Sequence, residues 1–176
     1  EPKGYAWVII SDAFAPSKTV KSHAGIEYRG GGGSYWHPKR SYSLEFWDDE
    51  AETGHSNISF FNLLEDDDWL LEAMYRDKGR MRKAVTSGLW KEMQDGTLSS
   101  SGLRKTWVEG GFTEVFVNAE YRGVFYLTER IDRKRLGLVP PGDRIEGVIY
   151  KAEDWQGPTL YTMMYDTTGG EFWGWW

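Results

Sequence analysis

The feature that most constrains this chain is a matched pair of period-two patterns on either side of a glycine run. Residues 26–46 read IEYRGGGGSYWHPKRSYSLEF. Ile26 and Tyr28 alternate with charged residues before the run, and Tyr42, Leu44 and Phe46 alternate with polar ones after it. Successive side chains on a strand point to opposite faces, so this pattern predicts two half-buried strands joined by a glycine-rich turn. Glycine lacks a Cβ, so backbone N–H groups in such a turn can approach phosphate oxygens, and a following lysine supplies charge. Gly30, Gly31, Gly32, Gly33 and Ser34, followed by Lys39, therefore form a candidate polyphosphate cradle. Plainer readings stand beside it. GGGGS is also the composition of a flexible linker or an ordinary hairpin loop, and a lone glycine run is a weak motif. Lys39 and Arg40 equally suit charges that protect a strand edge.

A chain of 176 residues suffices for one domain with a sizeable core. Its 40% hydrophobic and 16% aromatic content marks a globular chain and excludes a disordered one. A net charge of −6 argues against a general nucleic-acid binder. No segment approaches the roughly 18 apolar residues of a membrane span. Cysteine is absent, which removes disulfides, thiolate metal sites and cysteine nucleophiles without fixing the compartment. The chain opens at Glu1 and stops inside the aromatic cluster FWGWW, which predicts a fragment: one domain or partial domain over 1–176.

Along the chain, residues 6–10 (AWVII) read as a strand and 11–21 as irregular. After the hairpin come a polar loop over 48–57 and a buried strand over 69–74. A helix is expected over 77–93, with Asp77 as its N-cap. Met81, Val85, Leu89 and Met93 recur at i+4 beside Trp90, a stripe that core packing explains. Residues 94–104 read as a Ser/Gly loop. A strand over 112–117, a turn at Asn118-Ala119, a returning strand over 121–131, a short helical turn at 133–138, a loop at 140–143 and a strand over 146–151 complete the pattern. This order predicts an α+β fold: an antiparallel sheet with one main helix. Protein kinase N-lobes share that outline, which by itself is analogy.

Adjacent carboxylates at 65–68 point in alternating directions on an extended segment and rarely converge on one ion. His23, His37 and His55 lack metal-ligand spacing. Neither pattern nominates a metal ligand or a catalytic residue. Ten Trp and ten Tyr also suit a surface that stacks on sugars, with Trp36, Trp47, Trp155 and the Trp173 to Trp176 cluster as candidates against a core role.

Three long segments, in order across roughly Ala24 to Trp155, resemble the CotH family of spore-coat kinase-like proteins. They are IEYRGGGGSYWHPKRSYSLEF, DDDWLLEAMYRDKGRMRK and EVFVNAEYRGVFYLTERIDR, with a weaker fourth in GVIYKAEDW. One such motif would be weak; three in order are specific. The chain departs from the family pattern at Lys83 (usually Asn), Ala119 (a turn glycine), His37 (more commonly an aromatic before the proline) and in the composition of the glycine loop. The resemblance implies a kinase-like fold, ATP with a divalent metal such as Mg, and phosphorylation of Ser/Thr in a protein substrate. It implies a spore-coat or otherwise exported, extracytoplasmic location. Lys39 matches the family's lysine and becomes a phosphate contact. Arg29 would contact phosphate or buttress the sheet, as would Arg82. Glu129 would lie toward the junction between lobes, where main-chain groups of 126–130 would meet the base, or would form an ion pair with Arg122 or Arg130. Lys151 is a further phosphate candidate. The family's metal-binding and catalytic acids come later in the chain, so this fragment is expected to be inactive alone and to contact a C-terminal half. A non-catalytic scaffold with a nucleotide site, or a carbohydrate-binding module, remain the alternatives.

Overall fold

The computed structural model describes residues 3–30, 36–50, 54–61, 63–101, 107–138, 150–152 and 173–175, which form two compact units over 1–130 and 131–176. The first unit holds β1 (Gly4–Asp12), β2 (Ala15–Arg29), β3 (Ser41–Trp47), β4 (Asp68–Glu72), α1 (Arg82–Ser101), β5 (Gly110–Val117) and β6 (Glu120–Glu129). Its six strands form one antiparallel sheet in the order β1-β2-β3-β4-β6-β5. The second unit contains α2 (Arg133–Leu136) and a two-stranded antiparallel pair, β7 (Tyr150–Ala152) and β8 (Trp173–Trp175). The expected α+β class with an antiparallel sheet holds.

The hairpin read from alternation forms in register. Ile26 faces Leu44 and Tyr28 faces Tyr42 across β2 and β3, and the two tyrosine rings stack at 5.3 Å. The core lies against one face and gathers Ala24, Leu44, Phe46, Phe60, Trp69, Leu71, Phe125 and Leu127. Trp69 is wholly buried. Its ring meets Phe60 edge-on at 4.6 Å, and its Nε1–H donates to the Asp66 carbonyl at 2.9 Å, so the ring is buried without stranding its polar atom. Each such large side chain contributes about 1.5–3 kcal/mol through burial. Gly25 is needed here, because a Cβ at that position would lie 2.2 Å from the Trp47 ring.

Three expectations change. Residues 11–21 are not irregular: Asp12 accepts the Phe14 N–H at 2.8 Å in a tight turn, and β2 returns along β1 with Ile10 facing Val20 and Val8 facing Ser22. Pairing to an apolar strand overrides the weak strand preference of the polar sequence PSKTVKS. The helix starts five residues late, because Arg80 takes a left-handed conformation (φ 54°). Asp77 still caps it from a distance, accepting the Arg82 N–H at 2.7 Å and the Gly79 N–H at 3.2 Å. The helix then runs through 94–101, expected as loop, since residues 82–101 contain no proline to stop it.

The apolar stripe of α1 is also reversed. Met81, Val85, Leu89, Trp90 and Met93 are all exposed. Lys83 and Lys91 instead face the sheet, where they pair with Glu72 (2.9 Å) and with Glu109. At about 100° per residue these lysines lie roughly opposite the centre of the stripe, so seating one face on the sheet turns the other outward.

The turn between β5 and β6 places Asn118 (φ 51°) and Ala119 (φ 65°) in the left-handed region, as a two-residue hairpin of this twist requires. Alanine is strained there. Ala119→Gly is expected to stabilise the protein by about 1 kcal/mol, read as a thermal midpoint about 2–4 °C higher; an unchanged or lower midpoint would refute the strain.

Candidate functional site

Of the candidate cradle, Arg29 and Gly30 are described, whereas Gly31, Gly32, Gly33 and Ser34 lie outside the described residues. Gly30 has φ 120°, a backbone state that other residues rarely adopt, at the point where the chain leaves β2. Lys39 lies two residues before β3 and reaches to β6. Its Nζ donates to the Val124 carbonyl and lies 4.0 Å from the centroid of the Phe125 ring.

A bulge in β6 lies beside this contact. The β5–β6 register passes from Val115↔Gly123 to Phe116↔Tyr121, leaving Arg122 as the extra residue. Gly123 takes φ 88°, and a Cβ there would lie 3.6 Å from Lys39 Nζ. Arg80, on the turn before α1, donates Nη1–H to the same Val124 carbonyl at 3.4 Å. Two cations therefore converge on one neutral oxygen. Among the described residues neither forms a salt bridge.

Burial, and secondarily the Arg80 charge, holds the Lys39 ammonium below the usual lysine range. For a cation the sign is unfavourable. The charged form costs stability at neutral pH, and that cost fades only as pH rises from the lowered folded value to the unfolded one. A bound anion would offset both causes.

The lysine stands in an open concavity of about 1230 Å³ whose walls include Tyr28, Arg40, Tyr42, Arg122 and Phe125. Arg40 lies over the Tyr28 ring at 4.7 Å, and Arg122 pairs with Glu120 at 2.8 Å. Cations thus rim a floor of aromatic rings.

The remaining candidates are placed elsewhere. Arg29 Nη1 donates to Glu72 Oε1 at 2.5 Å, the same oxygen that receives Lys83 Nζ at 2.9 Å. Glu72 thereby ties the ends of β2, β4 and α1 together, so Arg29 buttresses the sheet. Arg82 stays near Asp77 at 3.7 Å and is exposed. Lys151 lies in β7, its side chain outside the described residues. Trp47 is buried and Trp36 exposed, so the sugar-stacking set loses one member to the core.

Glu129 is buried at the far end of β6, five residues beyond Val124 or about 17 Å along the strand. The structure does not bring it to Lys39. Its carboxylate accepts the Leu64 N–H at 2.9 Å and the Glu109 N–H at 2.8 Å, so it fastens two loops. Backbone groups of 126–129 are engaged in the ladders to β4 and β5, with Glu129 N–H on the Glu109 carbonyl at 3.1 Å.

Arg80 is the site residue that sequence reasoning missed. It sits among other arginines and lysines at the start of a helical pattern, and only the Val124 carbonyl, 44 positions on, distinguishes it.

Glu129→Ala is expected to destabilise the protein by about 3 kcal/mol, because two amides lose a charged acceptor. Urea denaturation measures this; a loss under 1 kcal/mol would show that water replaces the carboxylate.

A family model described as "CotH kinase protein" matches residues 26–170. No curated protein gives a significant match. The matched span covers the glycine turn, Lys39, Arg80 and the β6 bulge, and the chain belongs to the CotH family.

Proposed function

We propose that this chain supplies the phosphate-binding face of a CotH-type atypical protein kinase, acting with ATP and Mg on Ser/Thr residues of a protein substrate. The observation that carries the reading is the convergence of Lys39 and Arg80 on one neutral carbonyl, with Lys39 over the Phe125 ring. Lys39 is partly buried and Arg80 is exposed beside it, and among the described residues neither forms a salt bridge, so an anion placed there would gain from both charges. A triphosphate supplies that anion, and the open concavity has room for the rest of a nucleotide. Tyr28 and Tyr42 offer flat surfaces beside it.

Within this reading the six-stranded sheet with α1 plays the part of a kinase N-lobe. Lys39 and Arg80 hold phosphate oxygens, and the backbone at Gly30 and the residues after it approaches the phosphates. Transfer itself needs groups that hold Mg and a carboxylate that orients the attacking hydroxyl, and we assign neither role to a described residue. Glu129 and Arg29 are supporting residues. We place the protein outside the cytoplasm, in a spore coat or as an exported protein, from the family association alone. Among the described residues no helix is long and apolar enough to cross a membrane.

Mg-ATP is expected to raise the thermal midpoint of the protein. Lys39→Ala and Arg80→Ala should each weaken ATP at least tenfold, with adenosine little affected because it lacks phosphate. Arg29→Ala should lower stability while changing ATP affinity less than threefold. Equal ATP affinity in wild type and Lys39→Ala would refute the proposal.

A further inference from the structure

At the other end of β3, three side chains that are far apart in type and order meet at one point. Glu45 stands in β3. His55 is held beside that strand by its bridge to Trp47 and by the Ser56 N–H on the Phe46 carbonyl at 3.0 Å. Asp67 precedes β4, and its carbonyl accepts the Phe46 N–H at 2.8 Å. His55 Nδ1 lies 3.0 Å from Glu45 Oε1 and 3.0 Å from Asp67 Oδ2. The three atoms all lie within 4.8 Å of one another.

A single Nδ1–H can be directed well at only one of these two oxygens. The two imidazole–carboxylate separations of 3.0 Å suit an ion. For metal–donor distances of about 2.1 Å, adjacent donors stand about 3.0 Å apart at right angles and about 3.4 Å apart in a tetrahedron. The Asp67 side chain is only 9% exposed and fixed by its surroundings, whereas the imidazole is 62% exposed and leaves open positions for solvent. Lys3 pairs with the other Glu45 oxygen, Oε2, which orients Oε1 toward the imidazole in the manner of an outer-shell partner. Negative charge is concentrated around the point. Asp68, the residue after Asp67, pairs with Arg130 at 3.2 Å.

We propose that Glu45 Oε1, His55 Nδ1 and Asp67 Oδ2 bind a divalent transition ion, zinc or manganese, which clips the 54–58 segment to β3 and to the start of β4. One imidazole among two carboxylates favours such an ion over calcium or magnesium, which prefer all-oxygen sets. The imidazole binds in its neutral form, so the ion takes the place of the Nδ1 proton. This site is independent of the nucleotide reading, and none of its ligands lines the Lys39 concavity.

The test uses the full chain stripped with EDTA and titrated with Zn²⁺ or Mn²⁺ alone, following heat of binding and the thermal midpoint. Either ion is expected to bind one per chain and raise the midpoint. His55→Ala and Glu45→Gln, both at partly exposed side chains, should each weaken binding at least tenfold, whereas Lys39→Ala leaves it unchanged. Co²⁺ should give visible absorption bands with the wild type that His55→Ala loses. No binding of either ion, equal binding in His55→Ala, or equally tight binding of Ca²⁺ or Mg²⁺ would overturn the proposal.

Discussion

Strand β4 carries hydrogen bonds to β3 on one side and to β6 on the other, and this double pairing joins two hairpins that lie far apart in the sequence. Trp69, Leu70 and Leu71 are buried in succession, the pattern of a strand covered on both faces. Because β4 fixes the spacing, β6 stands two strand separations from β3, about 10 Å. Lys39 reaches the Val124 carbonyl across that gap, beside the bulge at Gly123. The same pairing sets Glu129 opposite Trp69, where its carboxylate takes amides from the segments that lead into β4 and β5. Loss of the β4 core would therefore remove the Lys39 geometry and the Glu129 clasp together.

Helix α1 is attached by a different force. Its contacts with the sheet include two lysine–glutamate pairs, Lys83–Glu72 and Lys91–Glu109, while its apolar stripe faces away. Exposed or half-exposed pairs of this kind are worth about 0–1 kcal/mol each. The turn that carries Arg80 precedes this helix, so the second cation of the site rests on a mount softer than the strands that hold Lys39. Position along the sheet is set by packing, and the approach of Arg80 by charge.

What the sequence disclosed follows the same division. Alternation of Ile26, Tyr28, Tyr42, Leu44 and Phe46 disclosed the β2–β3 hairpin because period two reports a buried face directly. The Asn118-Ala119 turn was legible for a similar local reason. The return of β2 along β1 was not, since residues 16–22 are polar and acquire strand structure from their partner. Periodicity found the stripe on α1 but carries no sign: it says that one face is apolar, not that this face meets the sheet. Lys39 stood out by following the glycine run. Arg80, and the structural duties of Glu129 and Arg29, depend on partners 44, 65 or 43 positions away and leave no local mark.

The two charged clusters on β3 have opposite sign and occupy its two ends. Lys39 and Arg40 precede Ser41, while Glu45, His55 and Asp67 meet near its close. Five or six residues of strand separate them by about 17–20 Å, more than twice the screening length of about 8 Å at physiological salt. Through solvent neither cluster can neutralise the other, and burial with the Arg80 charge keeps Lys39 lowered. The acidic end is in the converse position, with Lys3 and Arg130 offsetting part of its charge. An ion bound there would neither approach the phosphates at Lys39 nor substitute for the metal that a bound nucleotide brings. On the two proposals, the anionic occupant lies at one end of β3 and the cationic one at the other, and the pairing of β3 with β4 along this strand keeps the two positions apart.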